Sequence, residues 1–247
     1  MFYSLNPTRD YFNLKNKYLI SFIHFASCLL SASALSTFRY NERSRWDEVS
    51  KSVRTIAGIA HAAKAPTEIR LLNNCDPVLI GCEGSTGEEL ELILQQLSVE
   101  PSGQTPICTQ LTEVIKRLKS MEYELISSNK IALLVIMTDG ESSDGSIVDI
   151  LKPLEGIPLQ IIIRISTEEK EITDYWQDVN SELSLDIYVL NGYEYESTRV
   201  NSKNNWLTYG EPLHQIREFG IAVSGINTLS FRQLSKEDIK SICRLLL

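Results

Sequence analysis

Residues 130–149, KIALLVIMTDGESSDGSIVD, decide how the rest of the chain is read. An unbroken apolar run from Ile131 to Met137 meets a sudden polar turn at Thr138-Asp139-Gly140. A run of Ile, Leu and Val that never alternates with polar residues offers no solvent face. In a strand that means burial on both sides, as at the centre of a parallel sheet. Such sheets bind ligands beyond the carboxyl ends of their strands, which puts Asp139 where chemistry would occur. Asp-Gly is also ordinary turn chemistry after a core strand. Both readings of Asp139 stand at this point.

Downstream, residues 158–165, PLQIIIRI, repeat the pattern of a buried strand. Residues 185–190 form a shorter strand of edge character. Ile147, Ile150, Leu151 and Leu154, then Ile172, Tyr175, Trp176 and Val179, mark helices between these strands. Short helices are expected over 193–201 and 212–219, and an amphipathic terminal helix over 235–247.

Upstream, Ser44-Arg45-Trp46-Asp47 has the form of a capping box, followed at helical spacing by Trp46, Val49, Val53, Ile56 and Ala60. Strands are expected at 68–72 and, more weakly, at 78–81. Thr86 to Glu89 caps another helix, whose apolar face is Leu90, Ile93, Leu94 and Leu97. Thr105 takes the position of a helix N-cap with Pro106 as the first helical residue. The buried stripe of that helix is Leu111, Val114, Ile115, Leu118 and Met121. Strands alternating with helices of this length predict an α/β fold, a mostly parallel central sheet with helices on both faces.

Residues 18–36, YLISFIHFASCLLSASALS, admit three readings. The first is a buried strand over 19–28 running into a Ser-rich loop. The second is a signal peptide, with Ala32-Ser33-Ala34 as its cleavage site. The third is a membrane span, which His24 and the serines make a poor one. Residues 1–42 are therefore a segment apart, and 43–247 form a single domain.

The 247 residues can bury a core without disulfides or metals. A net charge of −8 and the lack of any Lys/Arg cluster exclude nucleic acid as a partner. Five scattered cysteines without a Cys-x-x-Cys point to a reducing compartment, and the chain is expected to be cytoplasmic. Under the signal or span reading of 18–36 it would instead be secreted or membrane-anchored.

The central strand ending in Thr138-Asp139-Gly140, preceded by Gly103-Gln104-Thr105-Pro106, resembles the von Willebrand factor A domain. So does Ser44-Arg45-Trp46-Asp47-Glu48, opening a long helix that leads to the strand Glu68-Ile69-Arg70-Leu71-Leu72. Trp206-Leu207-Thr208-Tyr209-Gly210 and Arg217-Glu218-Phe219-Gly220 resemble the C-terminal extension of the intracellular, single-domain branch of that family. The resemblance implies a Rossmann-like sheet and a protein-interaction module. Its partner surface would be the loop rim formed by residues 29–44, 101–106 and 139–145.

The family carries a metal-ion-dependent adhesion site built from an Asp-x-Ser-x-Ser loop, a Thr from a second loop and an Asp from a third. By that resemblance Thr105 and Asp139 would be the second- and third-loop ligands. Thr105 is equally well read as a plain helix cap. No Asp-x-Ser-x-Ser occurs in this chain, and Asp10 is the only acidic residue before Glu42. The best match, Leu29-Leu30-Ser31-Ala32-Ser33, keeps Ser31 and Ser33 and puts Leu29 in place of the carboxylate. Alternatively residues 1–40 are foreign to the domain. Either way the site lacks a carboxylate, so Mg²⁺ is expected to bind weakly or not at all.

Enzyme chemistry has less support. There is no Gly-x-x-x-x-Gly-Lys loop and no Gly-x-Ser-x-Gly elbow. A hydrolase built on Ser142 would have to recruit His214. The alternative function is a metal-assisted hydrolase using Asp139.

Overall fold

A computed structural model describes residues 17–23, 45–72, 76–99, 103–220, 223 and 225–246. Among the described residues the central sheet has six strands: β1 (Lys17–Ile23), β2 (Thr67–Leu71), β3 (Val78–Ile80), β4 (Ile131–Thr138), β5 (Leu159–Ile165) and β6 (Asp186–Leu190). Their order is β3-β2-β1-β4-β5-β6. Every pairing is parallel except β2 with β3. The chain is thus mixed α/β, as its alternating pattern predicts.

Among the described residues the α-helices are α1 (Arg45–Ala63), α2 (Glu88–Gln96), α3 (Ile107–Ser127), α4 (Ile147–Leu151), α5 (Lys170–Glu182), α6 (Tyr193–Lys203), α7 (Glu211–Glu218) and α8 (Lys236–Leu246). A 3₁₀ turn, Lys152–Leu154, extends α4. The apolar run of β4 serves two cores because successive side chains point to opposite faces. Ala132, Leu134 and Ile136 join α3, α4 and α5 on one face, through Leu111, Leu118, Leu151 and Trp176. Leu133, Val135 and Met137 join α1 and α2 on the other, through Val49, Val53, Ile56 and Ile93. A third cluster, Val200, Tyr209, Leu229 and Leu234, organises the C-terminal segment. That segment is pressed against the α1 face of the sheet. At Gly220, in the left-handed region at φ 62°, an added Cβ would lie 2.5 Å from Leu133 Cδ1.

Of the N-terminal stretch with three readings, Lys17–Ile23 is a strand between β2 and β4, in register Leu19↔Thr67 and Leu19↔Leu133. It starts two residues before the 19–28 expected, and the rest of that reading, from residue 24, lies outside the described residues, as do all of 24–44. Among the described residues no helix is long and apolar enough to cross a membrane.

Two local readings are corrected. The helix after the Pro-Ser-Gly break begins at Ile107 with Pro106 as its N-cap, so Thr105 lies one residue outside the cap. In α2 the helix starts at Glu88, with Gly87 in the cap position at φ 99°. The box chemistry survives, one residue displaced: Glu89 accepts from the Gly87 N–H at 3.0 Å, and Thr86 Oγ1 accepts from the Glu88 N–H at 3.4 Å.

Candidate functional site

From β1 the chain winds one way through α1 to β2, and β4 is added on β1's other side. The order of strands therefore reverses between β1 and β4, and their carboxyl ends border the crevice where open α/β sheets take ligands. Asp139, the residue after β4, stands at this point and is 9% exposed.

The loop after β4 is stiffened from three sides. Thr138 Oγ1 accepts from the Gly140 N–H at 3.2 Å, and Trp176 Nε1 on α5 donates to the Gly140 carbonyl at 3.2 Å. The Ser143 N–H donates to the Thr105 carbonyl at 2.9 Å, and the Thr105 N–H donates to Ser143 Oγ at 3.0 Å. That reciprocal pair clamps the loops of Thr105 and Asp139 together. Ser31 and Ser33 lie outside the described residues.

Asp144 does what Thr105 is read to do. Its Oδ1 accepts from the Cys108 N–H at 3.0 Å and its Oδ2 from the Thr109 N–H at 2.7 Å, so a carboxylate from another loop caps α3. Negative charge is favoured there by the helix dipole. Burial works to raise its pKa, but hydrogen bonds from Thr109, Ser142 and Cys108 outweigh it and hold the carboxyl below its usual range. Ser142 Oγ donates to Asp144 Oδ1 at 2.8 Å and lies 3.4 Å from Cys108 Sγ. Burial pushes the Cys108 thiol up, so it is not a thiolate nucleophile at neutral pH.

Behind the rim, on the α1 face, lies a buried ionic network. Arg164 on β5 is 1% exposed and donates through Nε to Glu218 Oε1 at 2.7 Å and through Nη2 to Glu48 on α1. Ser52 Oγ donates to Glu218 Oε2 at 3.0 Å. On the residue before Glu218, Arg217 Nη1 donates to Glu196 Oε2 at 2.7 Å and to the Tyr209 hydroxyl at 2.9 Å. The pairs join α1, β5, α6 and α7, bonding the C-terminal segment to the sheet through charge as well as apolar contact.

His214 is embedded in this network, with Nδ1 at 2.8 Å from the Tyr209 hydroxyl. That hydroxyl already accepts from Arg217, so it donates to Nδ1, and the imidazole proton belongs on Nε2. Nε2 stands 3.6 Å from Glu218 Oε1, a geometry that would favour imidazolium. Burial, with the Arg164 and Arg217 guanidiniums, prevails and lowers the pKa from 6.5 to about 2. The ring is neutral, and it pairs with Tyr209 whereas Ser142 pairs with Asp144.

A pH dependence follows. Between pH 6.5 and about 2 the unfolded chain binds a proton at His214 that the folded protein does not. The stabilisation is complete above pH 6.5 and drains away as the pH falls below it, at up to about 1.4 kcal/mol per pH unit. Urea unfolding at a series of pH values should show this slope in the wild type and a shallower one in His214→Asn, which keeps an acceptor for Tyr209. Equal slopes between pH 6.5 and 5 would show that the ring is protonated when folded.

Among the described residues no group of three or more His, Cys, Asp and Glu side chains is placed to hold a metal ion. No family model matches this chain, and no curated protein matches it.

Proposed function

We propose that this protein is an interaction module of the von Willebrand factor A type, which binds a protein partner through the loop rim around Asp139. The observation that carries the reading is the clamped pair of loops at the sheet's reversal point. The Thr105–Ser143 exchange and the Asp144 cap on α3 fix a rigid platform around one largely buried carboxylate. A preformed platform spares the partner the entropy of ordering loops, which is how rigid rims support affinity. Of the expected rim, 103–106 and 139–145 lie among the described residues, and 29–44 and 101–102 lie outside them.

Capture from native lysate tests the module. A partner held by the wild type should be lost with Asp139→Asn and with Glu141→Lys. It should be kept with Tyr123→Ala, whose ring is 84% exposed near the opposite end of α3. Partners that survive both rim changes would remove the rim from the function.

The donor set does not fit a tight Mg²⁺ site. Asp139 is the one carboxylate among the candidates, and Ser31, Ser33 and Thr105 offer neutral hydroxyls. Mg²⁺ gives up its waters reluctantly and relies on carboxylates to offset that cost. Calorimetric titration should find a dissociation constant of about 1 mM or weaker, roughly 4 kcal/mol. At that affinity 1 mM Mg²⁺ adds only about 0.4 kcal/mol of stability. A micromolar site abolished by Asp139→Ala would reverse this.

A further inference from the structure

The C-terminal segment holds a cation in place and gives it no anion. On α6, Tyr195 and Arg199 are one turn apart and share a face, with Lys203 one turn further on. The guanidinium carbon of Arg199 lies 5.6 Å from the centre of the Tyr195 ring and 4.9 Å from that of Phe231. The rings attract its charge, yet among the described residues nothing accepts a hydrogen bond from its side-chain N–H groups. Two other arginines of this segment are matched. Arg217 bonds Glu196, and Arg232 bonds Asp238.

Phe231 reaches this place because Asn204, fully buried where α6 ends, ties its backbone down. Asn204 Nδ2 donates to the Leu229 carbonyl at 2.9 Å and to the Arg232 carbonyl at 3.0 Å. Its Oδ1 accepts from the Leu234 N–H at 2.9 Å. The backbone on both sides of Phe231 is thus bonded to α6, and moving it would break buried hydrogen bonds. Tyr195 and Phe231 are nonetheless 40% and 44% exposed. An arginine held beside two rings has already lost rotamer freedom that binding would otherwise cost, and the rings offer apolar surface next to it.

We propose that this surface docks an acidic segment of a protein partner. One carboxylate of that segment takes the Arg199 guanidinium, and an apolar residue beside it covers the Tyr195 and Phe231 rings. Charge selects the occupant. A guanidinium with unused N–H groups grips a carboxylate through two parallel bonds, and the exposed Lys203 adds a second cation. With a net charge of −8 the chain as a whole repels acidic peptides, so binding of one needs a local site such as this. None of these residues belongs to the rim around Asp139, and the two surfaces stand or fall separately.

The test is fluorescence anisotropy with the full chain and three labelled probes: a Glu-Glu-Leu repeat peptide, a Glu-Glu-Gly repeat peptide and oligouridylate. The Glu-Glu-Leu probe should bind, and high salt should weaken it. Glu-Glu-Gly should bind several-fold more weakly, having nothing to cover the rings. The Glu-Glu-Leu affinity should fall about tenfold in Arg199→Met, which removes a bidentate charged pair, and several-fold in Arg199→Lys, which keeps the charge without the fork. Lys203→Ala, on the exposed end of α6, should lower it about two- to threefold. Should Arg199→Met lose its circular dichroism signal, the Arg199→Lys and Lys203→Ala affinities decide. No binding of Glu-Glu-Leu, or an affinity that ignores the Arg199 substitutions, would overturn the proposal. Equal affinities of the two peptides would do the same, and so would oligouridylate binding more tightly than either. Self-association in sedimentation velocity that Arg199→Met abolishes would give the patch to a second copy of this chain and overturn the partner segment.

Discussion

Deleting residues 1–36 is expected to leave a protein with no cooperative unfolding transition. The deletion removes β1, the one strand that joins the β3-β2 side of the sheet to the β4-β5-β6 side. Its ladder runs to β2 from Leu19↔Thr67 to Ile23↔Leu71, and to β4 from Lys17↔Ile131 to Ile23↔Met137. Without it the inner edges of β2 and β4 expose unpaired N–H and C=O groups beneath helices that exclude water. Unmet backbone groups in such a place cost about 1–3 kcal/mol each, and several of them exceed the roughly 5–15 kcal/mol that holds a domain together. The truncated chain should bind a hydrophobic dye and lose its near-ultraviolet circular dichroism. A truncation that melts cooperatively at the wild-type temperature would mean that β1 contributes nothing to the sheet.

The second large effect is expected at Arg164. Replacing it with Met keeps the length of the side chain but removes the charge that Glu218 and Glu48 share. Glu218, 2% exposed, would keep only Ser52 as a strong donor. An uncompensated buried carboxylate costs about 3–5 kcal/mol. Urea denaturation should therefore show Arg164→Met destabilised by that amount. Arg164→Met/Glu218→Gln should recover a large part of it, because the second change removes the stranded charge. A single variant within about 1 kcal/mol of wild type would place water or another cation at Glu218.

Both effects concern residues whose sequence signals differ in kind. Leu19 and Ile20 lie in an apolar run that can be read as strand, leader or span, since hydrophobicity alone does not separate them. Only pairing to Thr67 and Leu133 assigns the segment to the sheet. Arg164 carries a signal that the apolar pattern around it hides. An arginine inside Gln-Ile-Ile-Ile-Arg-Ile must be paired if the strand is buried on both faces, so a search for carboxylates on flanking helices is warranted from sequence. Which carboxylates answer it is not legible, because Glu218 and Glu48 lie 54 and 116 residues away.

The periodic parts of the chain were determined locally. Ile131 to Met137 reads as a doubly buried strand because no residue in it tolerates water. The stripe from Leu111 to Leu118 reads as a helix because its spacing leaves one apolar face. These patterns set the elements, their order and the α/β class, and Asp139 after β4 follows from them. Tertiary structure decided what sits around Asp139. The cap of α3 comes from Asp144, 36 residues on, where sequence suggested Thr105, because helix N–H groups take whichever acceptor the fold brings nearest. His214 became a neutral ring through burial between two guanidiniums. Local periodicity fixes which face of an element is apolar, but polar partners are chosen across the sheet, where separation along the chain carries no information.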